Sequence, residues 1–252
     1  MTRAAEKEVS LLGINLCNCS VREGLDILDE SLEMPGHYRA MFMNANYINI
    51  SFSDPVYRET VKKYHARFVD GVGVYLAGRI LKGVKFPHLG GGTDLGKLFL
   101  ERCAQKGYRV FFLGARPGVA DKAAENFRKW YPNIKIVGCH HGYFHNDENE
   151  DIIRRINSSK ADVLLVCMGM PREALWIEEN FDKLKTRLSL PLGAFFDFHS
   201  GEIRRAPLWI QKLRFEWLFR LILEPNRLWK RYIIGNFIFI GRVFKWKLLS
   251  IS

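Results

Sequence analysis

Short apolar runs alternate with amphipathic stretches along most of this 252-residue chain. The runs are bounded by Gly, Asn or Asp, which is typical of buried strands, and we place these strands at residues 10–17, 38–43, 67–69, 109–113, 135–138, 162–168 and 190–196. Helical periodicity fills the intervals, beginning with a helix that Ser20 and Glu23 open as a capping box. The alternation predicts an α/β fold with a mainly parallel, Rossmann-like sheet and helices on both of its faces.

The pattern changes after residue 203. Between residues 207 and 223 apolar side chains recur three and four positions apart, which predicts one amphipathic helix; they are Leu213, Trp217, Leu218, Leu221 and Ile222. Glu224-Pro225 ends this helix, because a residue before proline avoids the helical region and proline readily opens the next helix. Lysines and arginines are interleaved with Trp and Phe here, as on surfaces that lie on anionic membranes. A helix that packs its aromatic residues on the domain is the alternative.

Charge divides the chain at the same place. The net charge is +11, but residues 204–252 hold 11 Lys or Arg and two Glu, which leaves 27 basic and 25 acidic residues in the first 203. We therefore predict a Rossmann-like domain at 1–203 and a basic helical appendage at 204–252. A basic tail on a nearly neutral body favours a polyanionic partner, either membrane phospholipid or nucleic acid.

Other features indicate a cytoplasmic location. The first residues are polar and charged, unlike a secretory leader. The longest late apolar run, at 232–240, is interrupted by Gly235 and Asn236 and is shorter than the ~20 residues of a membrane-spanning helix. The five cysteines are odd in number and mostly lie in apolar runs, so we expect buried free thiols in a reducing compartment.

Candidate ligand contacts follow from the fold class, because open parallel sheets bind ligands beyond the carboxyl ends of their strands. The polar residues and glycines at these positions are Asn44, Asn46, Asp70, Gly114, Arg116, Gly142, Tyr143, Gly169, Pro171, Glu173 and Asp197. Glycines let a phosphate approach backbone amides. The segment GARPG after residue 113 is not a dinucleotide GxGxxG motif, and the chain has no P-loop.

Two aspartates carry the strongest chemical interpretation, each with a structural alternative. Asp70 suits a general base, but it could instead cap a helix. Asp197 lies among Phe195, Phe196 and Phe198. It could contact a ribose or a base, or only pair with Arg204 or Arg205.

We expect no metal and no cofactor. His140, His141 and His145 are close in sequence, but no acidic or cysteine partner completes a metal-binding spacing, so we interpret them as loop residues. The body also lacks a DxD pair that could hold a divalent cation for a nucleotide.

Several segments together resemble the WecG/TagA/CpsF glycosyltransferase family. They span about residues 38–232 in the family's order and include VDGVGV at 69–74, GGTDL at 91–95, FFLGARPGVADKAA at 111–124, YPNIKIVGCHHGYF at 131–144, ADVLLVCMGMPREALWI at 161–177, GAFFDFHSG at 193–201 and the long tail segment at 204–232.

The resemblance implies an inverting, metal-independent enzyme that transfers a sugar from a UDP-sugar to a polyprenyl-diphosphate-linked glycan. It implies peripheral attachment to the inner face of the plasma membrane during exopolysaccharide or other cell-surface polysaccharide biosynthesis. Asp70 matches the family's proposed general base, and Arg220, Arg227 and Arg231 match tail arginines that bind the diphosphate. The strand-end residues above would bind the donor. Whether the chain forms a homo-oligomer is left open.

Four departures leave the donor sugar open among N-acetylmannosamine, glucose and a uronic acid. The family's Thr-x-Asn is Asn44-Ala45-Asn46 here, and its Pro-Lys-Gln-Glu is PREA at 171–174, which puts Glu173 at the Gln position. Leu89 replaces an arginine, and Arg214 replaces the glycine of Gly-Leu-Glu-Trp.

A second function class remains. A non-catalytic nucleotide-binding protein could use the basic, aromatic tail to hold RNA or a membrane, because Arg beside Trp and Phe also forms stacking platforms for nucleic acid. We favour the enzyme with a lipid surface and no nucleic acid, since the tail also has an apolar face.

Overall fold

The computed structural model describes residues 8–87 and 91–249. Within these residues eight strands form one sheet in the order β1-β2-β4-β3-β8-β7-β5-β6. All neighbouring strands run parallel except β1 and β2, which confirms the predicted mainly parallel α/β fold. The strands are β1 Glu8–Leu11, β2 Ile14–Cys17, β3 Tyr38–Met43, β4 Ala66–Val69, β5 Arg109–Gly114, β6 Lys135–His140, β7 Val163–Cys167 and β8 Leu188–Pro191.

Helices cover both faces of the sheet. In chain order they are α1 Val21–Glu33, α2 Ala45–Ser53, α3 Pro55–Lys63, α4 Val72–Lys82, α5 Gly91–Lys106, α6 Val119–Trp130, α7 Asn149–Ser158, α8 Arg172–Glu179, α9 Phe195–Ser200, α10 Leu208–Lys212, α11 Glu216–Leu223, α12 Pro225–Trp229 and α13 Gly235–Leu249, with a π-helical turn at Lys230–Ile234 before α13.

Strands in the middle of the sheet therefore contribute to two hydrophobic cores, one on each face. In β7, Leu164 and Val166 belong to one core, whereas Val163 and Leu165 belong to the other. This is the period-2 alternation of a strand buried on both faces. Four of the five cysteines are buried free thiols, as expected, and Cys139 is half-buried.

The prediction of one strand at residues 10–17 is wrong. Leu12 and Gly13 both have positive φ, 53° and 78°, and they form the two-residue turn of an antiparallel hairpin between β1 and β2. Such turns match the twist of hairpin strands and normally require residues that tolerate positive φ. An apolar leucine at the first turn position conceals this signal in the sequence.

The prediction of a strand at residues 190–196 is also wrong at its second half. The strand ends at Pro191, and Phe195 and Phe196 lie in α9, so Asp197 is a helical residue and not a strand-end residue. Both phenylalanines are fully buried, and Phe196 stacks on Phe112 with ring centroids 4.6 Å apart. A short apolar run cannot by periodicity alone distinguish a strand from a buried helix.

The tail contains a break that the sequence analysis missed. Residues 207–223 form α10 and α11 as separate helices, with Arg214 between them at φ 63°. The left-handed region disfavours residues with a Cβ and ends helices. Arg214 occupies it at the position where the family has glycine.

The end of the tail docks on the body. Phe239 and Val243 of α13 are buried in the core formed with α2 and α4. The Asn49 side chain donates to the Gly235 carbonyl over 2.7 Å and accepts from Arg242 of α13. In the described part of the chain, no helix combines the length and apolarity needed to cross a membrane. The proposed boundary at residue 203 stays a prediction, and Leu89 lies outside the described residues.

We predict that Arg214→Gly is more stable than Arg214→Ala by about 1 kcal/mol, because both lose the guanidinium that lies 5.4 Å from the Tyr75 ring centroid but only Gly relieves the left-handed backbone. Chemical denaturation checks this difference. The matched pair Lys245→Gly and Lys245→Ala, at an exposed position inside α13, should show the opposite order, by about 1 kcal/mol. If the Gly and Ala variants had the same order of stability at both positions, the prediction would be contradicted.

Candidate active site

A cleft of about 1400 Å³ lies between the carboxyl ends of the strands and the tail helices. Most of the sequence-predicted site residues line it: Asn44, Asn46, Asp70, Arg116, Gly142, Tyr143, Gly169, Glu173, Asp197, Arg220, Arg227 and Arg231. Gly114 and Pro171 do not line the cleft. Gly114 instead packs against β7, since a Cβ there would overlap the Cys167 carbonyl oxygen.

Asp70 lies in this cleft directly after β4. Its backbone N–H donates to the Met43 carbonyl over 3.0 Å, and its Oδ2 accepts from Asn44 Nδ2 over 3.4 Å. Gly91 packs on the other oxygen, because a Cβ there would come within 2.5 Å of Oδ1. Asp70 does not cap α4; that position belongs to Gly71.

The surrounding protein raises the pKa of Asp70 above its ordinary value by desolvating it. The hydrogen bond from Asn44 and the charge of Arg231 oppose this shift, while Glu216 and Asp94 add to it. Part of the side chain remains open to the cleft. A carboxylate that is accessible and has a raised pKa is suited to accept a proton.

Glu173 lies fully buried at the bottom of the cleft. Its Oε2 accepts the backbone N–H groups of Met168 and Gly169 over 3.0 and 2.9 Å, and the Gly193 N–H lies 3.1 Å from both carboxylate oxygens. Burial raises its pKa to about 7, although these hydrogen bonds and Arg231 oppose the shift. Glu173 therefore ties the loop after β7 to the loop after β8.

Arg231 brings positive charge close to the carboxyl groups of both Asp70 and Glu173. Its guanidinium lies 5.5 Å from the Tyr47 ring centroid and 5.4 Å from that of Tyr232. Desolvation raises the pKa of Tyr47 to about 12 despite the charge of Arg231. Within the described residues, the buried Nε of Arg231 has no hydrogen-bond partner, so it can still donate to a ligand.

Arg220 and Arg227 line the same cleft. The Arg220 guanidinium lies 5.0 Å from the Phe198 ring centroid, and its buried Nε also lacks a partner among the described residues. Arg227 pairs with Glu224 over 2.6 Å and is exposed. The two arginines and Arg231 come from α11, α12 and the π-helical turn, so the tail places all three over the strand ends.

Asp197 lies on α9 and is half-buried. Burial raises its pKa, and the charges of Arg227 and Arg116 oppose that shift. An ion pair with Arg204 or Arg205 was the alternative role for Asp197. Arg205 pairs instead with Asp94 and Glu216.

Among the polar cleft residues that the sequence pattern did not reveal as site residues are Tyr47, Asp94, Arg205 and Glu216. Tyr47 lies one residue beyond Asn46, in the unpredicted helix α2. Asn44 caps this helix by accepting the Tyr47 N–H over 3.1 Å, and an Asn followed by a helical turn is the signal that could have identified it.

In residues 8–87 and 91–249, no three His, Cys, Asp or Glu side chains are grouped as metal ligands. His140 is the last residue of β6 and not a loop residue; its Nδ1 lies 2.8 Å from the His141 carbonyl oxygen. Metal independence stays a prediction.

The chain matches a known protein family over nearly its whole length. The model of the glycosyl transferase WecG/TagA/CpsF family matches residues 9–251. The match thus includes the sheet, the cleft residues and the tail helices.

We predict that the stability of Glu173→Gln relative to the wild type depends on pH. A carboxyl group whose pKa is higher in the folded than in the unfolded state stabilises the folded protein fully at pH values below its unfolded-state pKa. This stabilisation is lost as the pH rises through the folded-state pKa of about 7. The melting temperature of the wild type should therefore fall relative to that of the Gln variant between pH 5 and 8, by about 2–4 °C for each kcal/mol.

Thermal unfolding at several pH values measures this difference. Glu125→Gln, on the exposed face of α6, is the control and should show a constant difference from the wild type. A constant difference for Glu173→Gln would contradict the prediction.

Proposed function

The chain belongs to the WecG/TagA/CpsF family of glycosyltransferases, and from that premise we propose that it is an inverting, metal-independent enzyme that transfers a sugar from a UDP-sugar to a polyprenyl-diphosphate-linked glycan. The family itself implies a glycosyltransferase of cell-surface polysaccharide biosynthesis with a sugar donor and an acceptor. The observation that carries the finer proposal is Asp70, a carboxyl group with a raised pKa in a cleft that Arg220, Arg227 and Arg231 also line.

Inversion requires a single displacement in which Asp70 is the base. The acceptor hydroxyl oxygen attacks the anomeric carbon, and Asp70 takes the hydroxyl proton as the new C–O bond forms. The bond between the anomeric carbon and the donor diphosphate breaks, and its electron pair leaves with the UDP. The hydrogen bond from Asn44 to Oδ2 orients the carboxylate for this step.

Negative charge develops on the departing diphosphate, and the tail arginines are the groups that would stabilise it. Arg220 and Arg231 each present a buried Nε without a partner in the described chain. Guanidinium groups form strong charge-assisted hydrogen bonds with phosphate oxygens. This assignment gives the tail a direct part in the reaction.

The donor would lie over the loops after β5, β6 and β7. The left-handed Gly169 has open space on its Cβ side, with no heavy atom within 4 Å. Tyr143 is 66% exposed at the cleft wall and offers a stacking surface for a uracil base. Asn46, Gly142 and Asp197 remain proposed donor contacts, whereas Pro171 lies outside the cleft lining.

The acceptor side of the cleft has an apolar wall that supports a lipid-linked substrate. Leu76 and Ile80 of α4 and Ile240 and Phe244 of α13 line the cleft and are 41–57% exposed. Apolar surface of this kind is stabilised by contact with a hydrocarbon chain.

Asp70→Asn should lower the rate of acceptor-dependent nucleotide release by about 10²–10⁴-fold, the usual contribution of a general base. A panel of UDP- and GDP-sugars with a polyprenyl-diphosphate-sugar acceptor measures the release. Asp151→Asn, an exposed aspartate paired with Arg154, should retain the wild-type rate.

Release by one UDP-sugar that is lost in Asp70→Asn supports the proposal. Full activity in that variant would assign the base to another group. No release with any donor would favour the non-catalytic binding protein.

We also propose that the tail lies on the inner face of the plasma membrane. Of the 22 large hydrophobic side chains that are exposed in the described residues, 16 lie between Leu208 and Leu249. The same tail carries most of the net positive charge, and apolar side chains beside lysines and arginines suit an anionic bilayer.

The double variant Ile222→Ser with Phe237→Ser should weaken binding to anionic phospholipid vesicles by about tenfold or more, since each side chain contributes about 1.5–3 kcal/mol when fully buried. Both side chains are at least 70% exposed, so the fold should be retained. Val56→Ser, at a 68% exposed position on α3, should bind vesicles like the wild type.

Vesicle co-sedimentation at increasing salt measures this binding. Unchanged binding of the double variant would contradict membrane insertion. Tight binding to RNA that collapses with salt would favour the nucleic-acid alternative.

A further inference from the structure

An ion-pair network joins the start of the tail to the body at the cleft. Arg205 Nη1 lies 2.6 Å from Asp94 Oδ1, and Arg205 Nε lies 3.2 Å from Glu216 Oε1. Asp94 belongs to the first turn of α5, and Glu216 is the first residue of α11. We refer to Arg205 with these two carboxylates as the Arg205 latch.

The geometry of the latch suits an arginine. The planar guanidinium uses two different nitrogens for two carboxylates on separate elements and so fixes their relative placement, which a compact ammonium on a flexible stem does less well. Only a quarter of the Arg205 side chain is exposed, against 40% for Asp94 and 30% for Glu216. Partial burial reduces the solvent screening that weakens exposed ion pairs.

The neighbouring chain fixes Arg205 further. Ala206 is buried, and its carbonyl accepts from Gln211 Nε2 of α10 over 2.6 Å. The segment between α9 and α10 is therefore held on the body side by Asp94 and on the tail side by Gln211 and Glu216. Loss of the guanidinium would release α11, which carries Arg220, from the first turn of α5.

The latch also borders Asp70. Helix α5 begins at Gly91, the residue that packs on Asp70 Oδ1. The charges that act on Asp70 come from three elements besides its own: Asp94 of α5, Glu216 of α11 and Arg231 of the π-helical turn. Asn44 at the start of α2 adds its hydrogen bond. Two of these groups are the carboxylates that Arg205 neutralises.

We propose that Arg205 is a positioning residue that holds α11 against the first turn of α5 and neutralises Asp94 and Glu216 beside the proposed base. The inference rests on the proposed function, because it assumes that Asp70 accepts the proton. The ion pairs of Arg205 are with Asp94 and Glu216 and not with Asp70, so we infer that it acts through the two carboxylates and through the placement of Arg220.

The latch predicts shifts of the pH profile in opposite directions. A base must be ionised, so the rate falls at low pH through the pKa of Asp70. Arg205→Gln leaves two uncompensated negative charges facing Asp70, which raises its pKa and should move this acid limb up by about half a pH unit or more. Glu216→Gln removes one negative charge and should move the limb down.

The experiment measures kcat/KM for acceptor-dependent nucleotide release against pH in the full chain. Arg205→Gln should also lower kcat at least about fivefold at the optimum. Arg205→Lys keeps the charge but cannot bridge both carboxylates, so its limb should stay near the wild-type position while kcat falls. The triple variant Asp94→Asn, Arg205→Gln, Glu216→Gln removes both negative charges together with the positive one, so its limb should lie well below that of Arg205→Gln and near that of Glu216→Gln.

Arg154→Gln, which breaks the exposed ion pair with Asp151 on α7, is the matched control and should leave the profile unchanged. Thermal unfolding of each variant identifies loss of fold. Three results would overturn the latch. The acid limb of Arg205→Gln would not move, it would move in the same direction in Arg205→Gln and Glu216→Gln, or the wild type would show no acid limb.

Failure of the proposed function is a separate result. It would appear as full activity of Asp70→Asn at every pH, whatever the Arg205 variants do. If activity is lost in Asp70→Asn but the acid limb of Arg205→Gln stays at the wild-type pH, the latch is rejected and the proposed function is not.

Discussion

Buried negative charge at the carboxyl ends of the strands is the constraint on which the rest of the structure depends. Asp70 follows β4 and Glu173 lies beyond the end of β7 in the same sheet. Both have raised pKa values because the surrounding protein desolvates them. A desolvated carboxylate is costly unless cations or hydrogen bonds compensate it. Glu173 receives three backbone N–H groups, whereas Asp70 has one amide and depends on charge from the tail.

The tail supplies that charge because its last helix docks on the body. Phe239 and Val243 bury against α2 and α4, and this packing carries the preceding π-helical turn with Arg231 to the cleft. The asymmetry of charge in the sequence thus has two structural consequences. Some cations of the tail lie over the strand ends, while many apolar side chains of the same segment remain exposed. One short segment therefore lines the cleft and also presents an apolar surface.

The sequence predicts most of the sheet because strands such as β3, β5 and β7 are compact apolar runs that local patterning reveals. It fails where long-range packing decides: Phe195 and Phe196 form a helix because Phe112 and Phe127 complete their packing. The break at Arg214 was hidden because arginine gives no sign of a left-handed backbone. Asp70 and Glu173 could be found from their strand-end positions. Glu216 and Arg205 could not, since their pairing joins elements whose relative placement no local pattern encodes.

Asn44 shows how a departure from the family pattern can preserve the site. Its side-chain oxygen accepts the Tyr47 N–H as a helix cap, and its amide nitrogen donates to Asp70. Threonine at this position could cap as well, but its single hydroxyl would have to serve both partners. Asparagine separates the acceptor from the donor, so the cap and the orientation of the carboxylate are satisfied together. The replacement is therefore compatible with Asp70 as the base, and the amide's second N–H remains as a donor at the cleft wall.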